Sequence, residues 1–320
     1  MGGVGRASGK LILFGEHAAV YGYPAVGISL REKTMVRLWA DGAGDWDPVD
    51  MAAEDRETVL RILTRLEELL PGLSSRTRCR VTVASEVPRG VGFGSSAALC
   101  AALARAAVAH AGEPSRSEQP GNSLNEWELA HEAERLFHGT PSGIDTGLAI
   151  LDGLFAFLPR PPGLPEYEPL SGAPLHLVVA AVPRSASCGA LIAMLGEQMK
   201  AGRRETREAI EDLGGAAASA RKALAGPAAA GAGEIADLAD QAMERLRALG
   251  LSSPWLDRLL AAGKRAGALG GKLSGAGGGG AFFLVTSDAA RAQQVASSVE
   301  EEAARGGITL ASPVRLLRTF

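Results

Sequence analysis

Cysteine is scarce in this chain: three residues in 320, Cys79, Cys100 and Cys188, with no pair at the close spacing of a metal knuckle. That pattern argues against a disulfide framework or a thiolate zinc site, and it fits a reducing cytoplasm. Concentrated positive charge is missing too. The 33 basic residues are scattered among 36 acidic ones, for a net charge of −3, and no lysine–arginine block stands out. A nucleic-acid partner therefore has no electrostatic footprint. Long apolar runs are absent. The strongest, LHLVVAAV, falls far short of the about 20 residues that a spanning helix needs. The opening MGGVGRASGK lacks the apolar centre of a signal peptide. No internal repeat is present. The expectation is a globular, cytoplasmic chain, whose 46% hydrophobic content is ample for real cores.

Glycine, by contrast, is in excess: 41 of 320 residues, about twice the usual share. Ordering glycine is entropically costly, so clusters of it need a reason. Two clusters stand out, residues 90–94 and the SGAGGGG of 274–280. Each reads either as a flexible linker or as backbone that must come close to something. Both adjoin strongly patterned segments, which favours the second reading.

The length suggests two domains. Residues 10–14, 25–29 and 34–39 read as early strands, and CRVTVAS alternates as a further strand. A helical stripe over 55–70 stops at Pro71-Gly72. Helices are expected over 95–110 and up to about Phe137, the latter with Ser123 as N-cap. The run PRPPGLP cannot continue a helix or a central strand. A boundary is placed just beyond it, dividing the chain into 1–172 and 173–320. LHLVVAAV then opens the second half as a buried strand. Helical patterns follow over 189–223, 233–249 and 254–266, then the strand AFFLV, a helix over 288–305 and a last strand near VRLLR. Mixed strands and helices in both halves make the class α+β.

Three segments carry candidate chemistry. VPRGVGFGSSAALCAALARA places glycines and Ser95-Ser96 at the entrance of an alanine-rich helix. A helix N-terminus offers unpaired N–H groups and positive dipole, and missing Cβ atoms let an anion approach. Polyphosphate binding and a plain tight turn both fit, and no Walker-type lysine is present. In GKLILFGEHAAVYGYPAV, Lys10 and the pair Glu16-His17 flank one apolar strand. In ERLFHGTPSGID, Pro141-Ser142-Gly143 forces a turn that holds Asp145 in a short loop. A fixed carboxylate there is either a proton acceptor or a turn former.

Taken together, these segments and KLSGAGGGGAFF resemble the three motifs of the GHMP kinase superfamily, in order, over roughly residues 8–285. GEHAAVYG and HGTPSGID resemble the mevalonate kinases within it. The resemblance implies a two-domain α+β GHMP kinase fold with its active site in the cleft between domains. It implies ATP-dependent phosphorylation of the terminal hydroxyl of mevalonate, with Mg²⁺. By position, Asp145 matches the catalytic aspartate and Lys10 the lysine beside it. Gly90, Gly92, Gly94, Ser95, Ser96 and Ala97 fall in the nucleotide-binding loop. Ser96 and Glu134 match the residues that hold Mg²⁺. Glu16, His17 and Arg184 match substrate-side positions, with His17 and Arg184 as candidates for a substrate carboxylate. The expected partner is the small-molecule substrate, with neither nucleic acid nor membrane, and a homodimer is one option for assembly.

Three departures from the motifs stand in the sequence. Phe93 replaces the usual leucine between the loop glycines, Leu99 stands where some members have tyrosine, and PRSASC replaces an Arg-Ser-Thr segment. A kinase of another alcohol, such as a sugar or hydroxy acid, and a non-catalytic sensor of the same fold stay open at this level.

Overall fold

A computed structural model describes residues 2–40, 44–74, 79–112, 125–160, 163–172, 174–225 and 231–319. The expected N-cap at Ser123 lies outside them. In chain order the elements begin β1 (Gly3–Phe14), β2 (Ala25–Ala40), β3 (Asp47–Pro48), α1 (Ala53–Leu69), α2 (Pro71–Ser74), β4 (Cys79–Ser85), α3 (Ser95–Ala111), α4 (Glu126–His138) and α5 (Ile144–Leu151). They continue β5 (Leu154–Leu158), β6 (Glu166–Pro169), β7 (His176–Val182), α6 (Cys188–Lys200), α7 (Arg204–Ala225), α8 (Ala232–Ala248), α9 (Pro254–Arg265), β8 (Gly270–Leu273), β9 (Gly280–Thr286), α10 (Ala289–Gly306) and β10 (Ser312–Arg318). Strands and helices mix throughout, as expected of an α+β chain. Among the described residues no helix is long and apolar enough to cross a membrane.

The chain divides into two compact units that interleave along the sequence, where the sequence reading expected one cut at 172. The first gathers Met1–Lys10, Ser29–Arg89 and Gly94–Asp152; the second gathers Leu11–Ile28, Gly90–Phe93 and Gly153–Phe320.

The first unit is built around α3. Its sequence, SSAALCAALARAAVAHA, is apolar on nearly every face, and such a helix belongs in a core. The stripe Val59, Ile62, Leu63 and Leu66 of α1 shares that core with Val36, Leu38, Val81 and, from α4, Leu129, Ala130 and Ala133. Residues Thr34 to Ala40 of β2 pair antiparallel with β4, and β3 adds a parallel edge to β4. The strand expected over 10–14 begins earlier, at Gly3, and takes in the N-terminal glycines. A Cβ at Gly3 or Gly5 would collide with the carbonyl oxygens of Ala106 or Ala102 in α3. Only a strand without side chains there fits so close to the helix backbone.

In the second unit, Ala25 to Ile28 pair with β5, which pairs with β6. A separate antiparallel sheet runs in the order β10-β7-β9-β8. Its strand β7, almost uniformly apolar, is buried along nearly its whole length. Helices α8, α9 and α10 pack on its strands, and α7 packs on α8. The single helix expected over 189–223 is two. Gly202, at φ 69°, breaks it, because that backbone cannot continue a right-handed helix.

Candidate active site

The nucleotide-loop residues of the first unit sit where α3 begins. Gly94 is its N-cap, at φ 72°, and no side chain caps the first turn. Ser95 and Ser96 are half-buried there, with Ala97 buried behind them. The left-handed backbone explains glycine at 94, and so does space. A Cβ on Gly94 would lie 2.5 Å from Cγ of Lys10. The lysine stem therefore passes directly against the start of the helix.

Lys10, only 5% exposed, reaches its Nζ to 2.8 Å from Oδ2 of Asp145. Asp145 is not in a loop, as its Pro-Ser-Gly context suggested, but in the first turn of α5. Gly143 caps that helix at φ 79°. Its carbonyl accepts the Thr146 hydroxyl at 3.1 Å and the indole N–H of Trp127 at 3.0 Å. The same carbonyl accepts the backbone N–H of Gly147 at 2.9 Å, so the indole adds a tie from α4 to a turn already closed within α5.

Glu134 completes this group from α4, which packs against both α3 and α5. It is 1% exposed, and neither carboxylate oxygen has a hydrogen-bond partner. Burial and then the Asp145 charge raise its pKa to about 8, against the opposing pull of Lys10. Orphaned carboxylate oxygens are the donor type that a hard cation takes, usually one or two carboxylates plus substrate phosphates.

The folded pKa of Glu134 is about 8 against an ordinary 4.5. Its contribution to stability is complete below 4.5 and is lost as pH rises through 8. His17 runs the other way: burial lowers it from 6.5 to about 4, so its contribution is complete above 6.5 and is lost as pH falls through 4. Between pH 6.5 and 8 His17 no longer contributes, and the Glu134 carboxyl, protonated in the fold and ionised in the unfolded chain, makes stability fall as pH rises. Urea unfolding across that window is expected to show falling stability in the ligand-free protein and a flatter profile in Glu134→Gln. A slope that survives in the variant belongs to another group.

In the second unit the Gly-Glu-His turn meets the C-terminal glycine loop. Glu16 forms an ion pair with the fully buried Lys272. Lys272 also donates to the carbonyls of Leu13 at 3.1 Å and Leu273 at 2.8 Å, and lies over the rings of Phe14 and Phe283 at 5.8 and 5.6 Å. Burial lowers its pKa, opposed by Glu16. Nε2 of His17 lies 3.1 Å from the Ala276 carbonyl. Being neutral near pH 7, His17 donates there and keeps Nδ1 as an acceptor, so it brings no positive charge to a carboxylate.

The SGAGGGG cluster is no linker. Gly277, Gly278, Gly279 and Gly280 are buried, with φ between 68° and 105°. A Cβ at Gly277 or Gly279 would strike the carbonyl oxygens of Leu251 or Pro183. Gly90 and Gly92 also have positive φ, and a Cβ on Gly92 would come within 3.0 Å of the Arg184 guanidinium. Arg184 is half-buried, contacts Sγ of Cys188 through Nη1, and keeps a buried Nε without a partner.

The predicted residues thus form two groups: Lys10, Gly94, Ser95, Ser96, Ala97, Glu134 and Asp145 in the first unit, and Glu16, His17, Gly90, Gly92 and Arg184 in the second. Sequence reasoning missed Trp127, Thr146 and Lys272. The only available signal was the lysine standing between apolar neighbours and the glycine loop.

Comparison with known proteins agrees with the motif reading. The family described as GHMP kinases N terminal domain matches residues 57–153, and that described as GHMP kinases C terminal matches 220–305. The chain is 31% identical over 304 residues to the mevalonate kinase of Thermococcus onnurineus, covering 85% of each chain. It is 30% identical over 311 residues to that of Thermococcus gammatolerans, again covering 85% of each. Its fold is similar to that of L. major mevalonate kinase solved with R-mevalonate, with a TM-score of 0.82 at 21% identity, covering 99% of this chain and 95% of that one.

Proposed function

Since the chain belongs to the GHMP kinase family and is a small-molecule kinase, we propose that it phosphorylates the terminal hydroxyl of mevalonate with ATP. Relatives named mevalonate kinase over most of the chain support the acceptor. One observation carries the chemistry: the uncapped start of α3, the Lys10 stem and the Asp145 carboxylate are in direct succession within one compact unit.

Phosphoryl transfer needs positioning and charge neutralisation more than covalent help. The N–H groups of the first turn of α3, with the Ser95 and Ser96 hydroxyls, are suited to the triphosphate. Glu134 and Ser96 are the oxygen donors that would hold Mg²⁺, which when bound neutralises phosphate charge. Lys10 takes one oxygen of Asp145 and leaves the other to accept the proton of the attacking hydroxyl. Arg184, with its planar fork, is the candidate for the mevalonate carboxylate.

A coupled ADP-release assay with mevalonate, galactose and homoserine tests this. Mevalonate is expected to give by far the largest kcat/KM. Preference for another alcohol would overturn the acceptor, and ligand-dependent melting shifts without ADP from any of them would overturn the kinase chemistry. Two variants probe the groups. Gly94→Ala forces a side chain into a left-handed backbone, at about 1–2 kcal/mol, and against Lys10. It is expected to lower kcat at least about tenfold, and unchanged turnover would separate Lys10 from the loop. Arg184→Ala is expected to raise KM for mevalonate far more than for ATP. Equal shifts would remove it from the acceptor side.

A further inference from the structure

Trp127 lies on α4, away from every motif of the sequence, yet its indole N–H ends at the catalytic helix. Nε1 donates to the Gly143 carbonyl at 3.0 Å and to Oγ1 of Thr146 at 3.2 Å. Thr146 in turn donates to the same carbonyl at 3.1 Å. Trp127 is 9% exposed and Thr146 is fully buried. Asp145 lies between Gly143 and Thr146, and its own side chain is 34% exposed and held by Lys10 alone on one oxygen. The backbone beneath it is the part that needs fixing. Gly143 sits at φ 79°, a conformation open to glycine but not selected by it.

We propose that Trp127 is a positioning residue for Asp145, its indole N–H setting the first turn of α5 so that the carboxylate faces the proton it accepts. The inference rests on the kinase reading above. The same helix α4 carries Glu134, so one rigid element sets the backbone of one carboxylate and supplies the other. The capping box of Asn125 and Glu128 fixes the end of α4 on which Trp127 stands. Loss of the N–H leaves the Gly143 carbonyl with the Thr146 hydroxyl and the helical Gly147 N–H but removes its tie to α4, and the turn gains freedom where about 1 Å of displacement is costly.

The test uses the full chain with Mg·ATP and mevalonate, each varied while the other is saturating. Trp127→Phe keeps an aromatic ring and removes the donor. Thr146→Val keeps the volume and removes the hydroxyl that accepts from Trp127 and donates to the Gly143 carbonyl. Leu129→Val, on the same helix in the buried core, destabilises α4 without touching the turn. For Trp127→Phe, kcat is expected to fall about tenfold, with both KM values unchanged, and Thr146→Val should fall in between. Leu129→Val should keep wild-type kcat well below its melting temperature. The proposal is overturned by wild-type kcat in Trp127→Phe, by a loss confined to KM, or by an equal loss in Leu129→Val. An inactive wild-type chain instead brings down the kinase reading, and this inference with it.

Discussion

Asp145→Asn is expected to lower kcat by about 10²–10⁴-fold while nucleotide binding survives. The substitution is nearly isosteric, so the first turn of α5 keeps its contacts to Trp127 and Thr146. What disappears is the charge that pairs with Lys10 at 2.8 Å and the oxygen able to take a proton. The groups suited to phosphate lie on α3 and do not depend on that charge. ATP binding measured by calorimetry should therefore stay within a few-fold of wild type. A second readout follows from the buried neighbour. The Asp145 charge helps raise Glu134, so its removal should lower the Glu134 pKa and shift the pH dependence of stability toward acid. Wild-type turnover in the variant would remove Asp145 from the mechanism whatever the stability data show.

Lys272→Met is expected to be the most damaging single change to stability, at about 3–5 kcal/mol. Methionine replaces the stem of the lysine but supplies none of its donors. Glu16, whose side chain is 1% exposed, would keep a buried charge with its cation gone. The carbonyls of Leu13 and Leu273 would lose their donor as well. Denaturant unfolding would read the loss directly. The double variant Glu16→Gln with Lys272→Met should recover part of it, because no uncompensated charge remains. A loss below about 1 kcal/mol would mean that water reaches the pair and that the site is less closed than its burial implies.

Much of the fold was legible because its signals are local. CRVTVAS alternates, and it is a strand with those bounds. The glycine–serine entrance to α3 and the apolar stripe of α1 likewise follow from short-range pattern. The failures have a common cause in contacts from distant parts of the chain. Residues 3–9 form strand because α3 lies against a backbone without side chains. β8, four residues with two glycines, is a strand because β9 pairs with it and Asp240 accepts the Gly271 N–H at 3.0 Å. Asp145 reads as loop because Pro141 and Gly143 dominate its surroundings, and the indole that bonds the Gly143 carbonyl comes from α4. Lysine is ordinarily exposed, so its residue type argues against burial at 272, and only its place beside the glycine loop points the other way. The family was readable from three motifs in order, whereas the positions of Trp127 and Thr146 belong to no motif.

The ion pair of Glu16 and Lys272 spans 256 residues of chain. On a ribosome the carboxylate emerges long before the Lys272 cation that pairs with it in the finished unit. Until β8 is made, burying Glu16 would cost the desolvation of its charge without the ion pair that offsets it. The buried pair therefore cannot form until β8 has been made, and a chain ending before residue 272 would lack the cation that Glu16 meets in the finished unit.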